Sequence, residues 1–144
     1  MKIYTLGFAK KSAKAFFETL RTAGVSRLLD IRLNNTSQLA GYTKRADLEY
    51  FCHAMLGIEY GHLPLLAPTK DILDAYKKHG NSWEVYEREF KALLVSRRPE
   101  AVMNTLIFDR ACLLCAEPSP DHCHRRLVAE YLAEKWISVD IIHL

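Results

Sequence analysis

No stretch of this chain approaches the ~20 consecutive apolar residues needed to cross a bilayer, which excludes a membrane-spanning helix and, with it, a membrane partner. The opening residues, Met1-Lys2-Ile3-Tyr4-Thr5-Leu6, have neither the apolar length nor the small-residue cleavage site of a signal peptide. They read as a first strand, and the expected compartment is the cytoplasm. Massed positive charge is also missing. The net charge is +3, and the basic doublets Lys10-Lys11, Lys77-Lys78, Arg97-Arg98 and Arg125-Arg126 are scattered. That pattern permits an anionic small molecule or a nucleic acid as partner without marking a nucleic-acid footprint. Neither an internal repeat nor a low-complexity tract nor a linker is found, so the 144 residues are read as one domain, 1–144. Metal ligands could be drawn from Cys115, Glu117, His122, Cys123 and His124, but these five residues contain no CxxC or HxxxH spacing. Adjacent Cys123 and His124 rarely bind one ion together, so no metal ligands are assigned. Which cofactor the chain uses, if any, is unknown from the sequence. In a cytosolic setting all four cysteines are expected to be reduced thiols.

What remains is an alternation of strands and helices. Lys2 to Leu6 is strand one. Ser12 caps a helix whose apolar face is Ala13, Phe16, Phe17 and Leu20, stopped by Gly24. Arg27 to Arg32 is strand two, followed by a polar segment from Leu33 to Tyr42 without a period, long enough to suggest a functional loop. Leu48, Phe51, Cys52 and Met55 mark a second helix ending at Gly57, and Ile58 to Leu63 is strand three. A helix over Lys70–His79 and another opened by Asn81-Ser82-Trp83-Glu84 follow, the latter with the face Trp83, Tyr86, Phe90, Leu93 and Leu94. Pro99 opens a short helix through Val102, Met103 and Leu106. Ala111 to Cys115 is strand four, Ser119 and Pro120 start the last helix, and Val139 to His143 is strand five. Strands separated by helices predict an α/β fold: a mostly parallel sheet of about five strands with helices on both faces, in three layers.

Chemistry concentrates in Cys115-Ala116-Glu117-Pro118-Ser119-Pro120-Asp121-His122-Cys123-His124-Arg125-Arg126, at a strand-to-helix junction where α/β proteins place ligands. Asp30 and Arg32 end strand two on one side of it, as a ligand-binding pair or as a salt bridge. Cys52 and Cys112 belong to the core. Cys123 stands four residues before Leu127, so helical spacing admits an inward structural role as well as a functional one. A carboxylate two positions past Cys115 needs a partner, for which Arg125 or Arg126 is the candidate, by a bidentate contact. A phosphatase-type loop fails, because the residue six positions after Cys115 is Asp121 rather than Arg.

Three readings follow. In the leading one, Cys115 is a nucleophile or redox-active thiol and Glu117 or His124 the general acid or base. Asp30, Arg32, Ser37, Cys123 and Arg125 then bind an anionic substrate related to nucleotides or nucleic acids. In the second, the site binds such a ligand without catalysis. In the third, Cys115, Glu117, Cys123 and Arg125 form a structural network only, and removing Glu117 strands a buried Arg charge.

Ile3-Tyr4-Thr5-Leu6-Gly7, Leu29-Asp30-Ile31-Arg32, Asn35-Thr36-Ser37-Gln38-Leu39-Ala40-Gly41-Tyr42, Glu59-Tyr60-Gly61-His62-Leu63-Pro64 and Leu114-Cys115-Ala116-Glu117 with Cys123-His124-Arg125 resemble the domain of unknown function 488 family over nearly the whole chain. The resemblance implies a compact α/β domain, and Asp30, Arg32, Ser37, Cys115, Glu117, Cys123, His124 and Arg125 occupy the family's motif positions. No activity comes with it. The segment Leu33-Asn34-Asn35-Thr36 departs from the proline-bearing segment of many members.

Overall fold

Alternation of apolar residues along each strand divides the core into two halves, one on either face of a parallel sheet. In the computed structural model, which describes residues 1–36 and 41–144, the strands are β1 (Lys2–Gly7), β2 (Arg27–Asp30), β3 (Glu59–His62), β4 (Ala111–Cys115) and β5 (Asp140–His143). Their order is β3-β2-β4-β1-β5 and every pairing is parallel. The helices are α1 (Ala13–Ala23), α2 (Arg45–Phe51), α3 (Lys70–Lys77), α4 (Trp83–Arg97), α5 (Pro99–Val102) and α6 (His124–Lys135). Tyr4, Leu6, Leu28, Cys112 and Leu114 face Phe16, Phe17 and Leu20 of α1 and Leu48 of α2. Ile3, Leu29, Ala111 and Leu113, one residue out of phase, face Trp83, Tyr86, Phe90 and Leu94 of α4 and Leu127, Val128 and Leu132 of α6. The three-layer α/β/α expectation therefore holds.

Local chemistry sets most boundaries. Ser12, Thr69 and Ser82 accept hydrogen bonds from Ala15, Ile72 and Val85 N–H and start α1, α3 and α4. Gly24 ends α1 at φ 68°.

Strand two stops at Asp30 instead of Arg32, the helix from Lys70 at Lys77 and the helix opened by Pro99 at Val102, and two further boundaries differ in ways that reposition side chains. After α2 the chain widens into a π-helical turn over Cys52–Leu56, and the changed periodicity leaves Cys52 buried but turns Met55 out, 46% exposed. The last helix begins at His124, not at Ser119-Pro120: the Ser119 hydroxyl accepts from Asp121 N–H and Cys123 N–H donates to the Pro120 carbonyl, closing a turn before the helix. Cys123 becomes the residue at the helix boundary instead of one inside its first turn.

Connections from β1 and β2 lead to α1 and α2 on one face, and those from β3 and β4 lead to α3, α4 and α6 on the other. β4 lies between β2 and β1, so at its carboxyl end neighbouring chains diverge to opposite faces. That is the switch point where open α/β sheets leave a crevice.

Candidate functional site

The crevice is there, with a volume of about 510 Å³. Phe8 to Lys11 after β1, Arg32 to Asn34 after β2, and Cys115 to Glu117 with His122 to His124 after β4 line it, and α3 and α4 add Tyr76, Lys77, Trp83 and Tyr86. Arg32 and Cys115 thus share one hollow because β2 and β4 are hydrogen-bonded neighbours, an alignment that Ile31 N–H extends to the Leu114 carbonyl at 3.2 Å.

Arg125 is wholly buried, 0% exposed. Its Nε donates to Thr5 Oγ1 at 3.3 Å and its Nη2 to the Pro118 carbonyl at 3.3 Å. Its Nη1 donates to the Glu117 carbonyl and reaches Cys115 Sγ at 3.2 Å. The expected contact between an arginine and the Glu117 carboxylate is not formed. That carboxylate is 41% exposed and pairs with Lys77 Nζ at 2.5 Å, because the chain turns after Cys115 so that the Glu117 carbonyl points inward and its side chain out. Among the described residues no carboxylate lies within ion-pair distance of Arg125, and burial pulls its pKa down. Arg125 is not among the crevice-lining residues; it meets the crevice through Cys115.

Asp30 and Arg32 form a closed unit. Asp30 Oδ1 accepts from Arg32 Nε at 2.9 Å and from Arg32 N–H at 3.1 Å, and Oδ2 accepts from Arg32 Nη2 at 2.7 Å and from the Tyr60 hydroxyl at 2.6 Å. Arg32 Nη2 also donates to the Thr43 carbonyl at 2.7 Å, and the guanidinium lies over the Phe8 ring, 5.1 Å from its centroid. Asp30 is wholly buried and does not line the crevice, so it holds Arg32 in place; Arg32 does line it. Ser37 lies outside the described residues.

His124 is nearly buried and its Nε2–H donates to the Ile31 carbonyl at 2.7 Å, which leaves Nδ1 as a bare acceptor. Burial lowers its pKa to about 4, an effect only partly offset by that hydrogen bond. It is therefore neutral at physiological pH and cannot act as an acid from Nδ1. Cys115 and Cys123 are joined as a disulfide, which corrects the expectation of four free thiols: the turn before α6 folds Cys123 back over the end of β4. The ligand atoms of Cys115, Cys123 and His124 lie within 4.8 Å of one another; with the disulfide reduced to two thiolates they would form a sulfur-rich donor set of the kind that soft metal ions favour, although the spacing in sequence argued against a metal.

Two contributors escaped the sequence reading. A Cβ placed on Gly7 would stand 1.6 Å from the Glu117 carbonyl oxygen and 2.8 Å from Arg125 Nη1, so only glycine lets the β1 exit pass over this site. The N–H groups beyond it are not free for an anion, since Phe8 and Ala9 donate to the carbonyls of Cys115 and Ala116. The second is an aromatic wall. Trp83 stacks on His122 with centroids 5.1 Å apart and on Tyr86 at 5.1 Å, and Tyr76 leans on both. The helical spacing of Trp83 and Tyr86 marked them as core, but not that one end of that face opens into the crevice.

Three outcomes follow. Gly7→Ala loses about 1–3 kcal/mol in urea unfolding, since the backbone it meets cannot give way. Asp30→Ala loses about 3–5 kcal/mol by leaving Arg32 buried without its partner, whereas Glu117→Ala changes stability by less than about 1 kcal/mol, since its exposed pair with Lys77 is solvent-screened. The unfolded chain takes up a proton at His124 near pH 6.5 and the folded one only near 4, so stability from this residue is present above pH 6.5 and falls as pH drops through that window. Comparing wild type with His124→Gln by urea unfolding at pH 7 and pH 4 should show an extra loss of about 3 kcal/mol in the wild type.

No curated protein and no solved structure matches the chain significantly. Residues 12–132 of its 144 match the family described as Domain of unknown function DUF488, and that span includes every described motif residue of the crevice. The chain belongs to the DUF488 family.

Proposed function

We propose that the crevice is the active site of an enzyme that uses Cys115 as a nucleophilic thiolate on an anionic substrate with a planar body, of nucleotide class. One observation carries this reading: a guanidinium buried without a carboxylate touches Cys115 Sγ at 3.2 Å on the crevice floor. When the sulfur is reduced, its thiolate is the anion nearest to that charge, and a neighbouring cation lowers a cysteine's pKa. Arg125 is then a positioning residue. It sets the ionisation of Cys115 and, through the Glu117 and Pro118 carbonyls, the course of the chain around it.

The substrate class rests on the lining. Lys10, Lys11, Arg32 and Lys77 bring four positive charges against the single carboxylate of Glu117, which favours an anionic group. Tyr76, Trp83, Tyr86 and His122 supply flat aromatic surface beside these charges, suited to stacking a base. Cys115 Sγ forms a bond to the electrophilic centre and the leaving group departs with the bonding electron pair. A water molecule, giving its proton to the Glu117 carboxylate, then displaces the sulfur as thiolate. Glu117 suits the proton transfer better than His124, whose burial disfavours the charge it would gain on accepting a proton at Nδ1.

Alkylation of the reduced protein tests the thiolate. Cys115 should react with iodoacetate at an apparent pKa below the ~8.5 of a free cysteine. Its preference for iodoacetate over neutral iodoacetamide should exceed that of free cysteine, because the rim attracts the charged reagent. Arg125→Met should raise the apparent pKa, and Arg125→Lys should restore much of it. A Cys115 that titrates like a free thiol and shows no such preference overturns the reading. Separately, adenosine monophosphate should quench Trp83 fluorescence in a Trp136→Phe background and bind more weakly as salt rises, whereas salt-independent binding would remove the cationic rim from recognition.

A further inference from the structure

The four cysteines are of two kinds. Cys52 and Cys112 are wholly buried in the core half beneath α1 and α2, where burial pushes both thiols up, Cys52 to about 12. Cys115 and Cys123 line the crevice, bonded to each other, with Arg125 beside the first. The two members of this pair are not equivalent. Cys115 ends a strand and receives the guanidinium contact. Cys123 occupies the boundary position of the twelve-residue helix α6, where its side chain forms no capping hydrogen bond. A thiolate developing there lies at the positive end of a helix. One sulfur is thus equipped to attack a molecule in the crevice, and the other to attack the first.

We infer that Cys123 is a resolving thiol, and that the site carries out thiol–disulfide exchange with low-molecular-weight disulfides. This deepens the reading of Cys115 as a thiolate and rests on it. In the first step the Cys115 thiolate attacks one sulfur of R–S–S–R. A new S–S bond forms, the old one breaks, and RS⁻ departs with the electron pair. In the second, Cys123 Sγ attacks Cys115 Sγ, the mixed disulfide breaks, and the second RS⁻ leaves, taking up the proton lost by Cys123. The small disulfide gains two electrons and becomes two thiols; the protein dithiol loses two and becomes the Cys115–Cys123 disulfide of the structure. The cationic rim and aromatic wall favour an R group that is anionic and planar.

A disulfide of that shape, 5,5′-dithiobis(2-nitrobenzoate), provides the test, with the reduced protein freed of excess reductant and kept folded. Wild type should release two equivalents of nitrothiobenzoate in the fast phase and end two hydrogens lighter by mass spectrometry, without an adduct. Cys123→Ser should release one equivalent and retain the other half as a mixed disulfide. Cys115→Ser should lose the fast phase, and Cys52→Ala with Cys112→Ala should leave the stoichiometry unchanged. A wild-type protein that reacts fast but keeps a stable adduct at Cys115 overturns the resolving role and leaves the thiolate standing. A Cys115 that does not react removes both. Stoichiometric zinc uptake that blocks the reaction, and is abolished in Cys123→Ser and in His124→Ala, would overturn the proposal and assign the three clustered ligand atoms to a metal centre.

Discussion

A charged guanidinium withdrawn from water with no carboxylate beside it is the constraint around which this end of the molecule is arranged. Desolvating Arg125 is costly, and the compensation comes from neutral oxygens: the hydroxyl of Thr5 on β1 and the carbonyls of Glu117 and Pro118 beyond β4. Supplying those carbonyls requires the chain after Cys115 to turn across the end of the sheet. That turn brings Cys123 back over Cys115 and puts the Glu117 side chain outside, on Lys77. Gly7 is the counterpart in β1, a position where a side chain would occupy the space taken by the Glu117 carbonyl. His143 extends the same unit to the edge strand, its Nδ1 lying 2.6 Å from the Thr5 hydroxyl that Arg125 also contacts.

Topology decides that these groups meet a second, independent set. β4 is inserted between β2 and β1, so the Cys-x-Glu segment finishes next to Asp30-Ile31-Arg32 on one side and Gly7-Phe8 on the other. Asp30 closes on Arg32 and Tyr60; burial of the Tyr60 hydroxyl, and next its hydrogen bond to Asp30, push its pKa up, so the phenol remains a donor to the carboxylate. His124 ties the start of α6 to the Ile31 carbonyl between them. The crevice walls are therefore fixed from both faces of the sheet before any ligand arrives, the preorganisation that a polar site needs to act without rearrangement.

Much of the fold could be read from residue patterns because it depends on local rules. Ser12, Gly24 and Ser82 mark ends that their own side chains or backbone freedom create, and strands separated by helices declare a parallel sheet covered on both faces. Arg32, Cys115, Glu117, Cys123 and His124 do line one hollow, as the strand-end argument required. The partner assignments were not legible. Spacing offered Arg125 a carboxylate two turns away, but which oxygen of Glu117 faces inward depends on the backbone direction after a strand, which residue types do not encode. Ser119-Pro120 has the composition of a helix start, and a tighter turn held by the same Ser119 hydroxyl competes successfully with it. Gly7 carries its meaning only through what passes 1.6 Å from its absent side chain.

The run Cys123-His124-Arg125 shows why three adjacent residues serve three different elements. At a helix start, successive side chains leave the axis about 100° apart, in keeping with 3.6 residues per turn. Cys123 is directed at the end of β4, His124 at the backbone beyond β2, and Arg125 at Thr5 within β1. One turn of backbone thus couples the three central strands of the sheet, and each coupling uses chemistry the other two residues lack: a sulfur that bonds sulfur, an imidazole that donates while staying neutral, and a guanidinium that distributes several donors. Moving the motif by a single residue would aim every one of these groups at the wrong strand. The same economy places the reactive sulfur where structure and chemistry coincide, because the cation that anchors the last helix is also the one that stands beside Cys115.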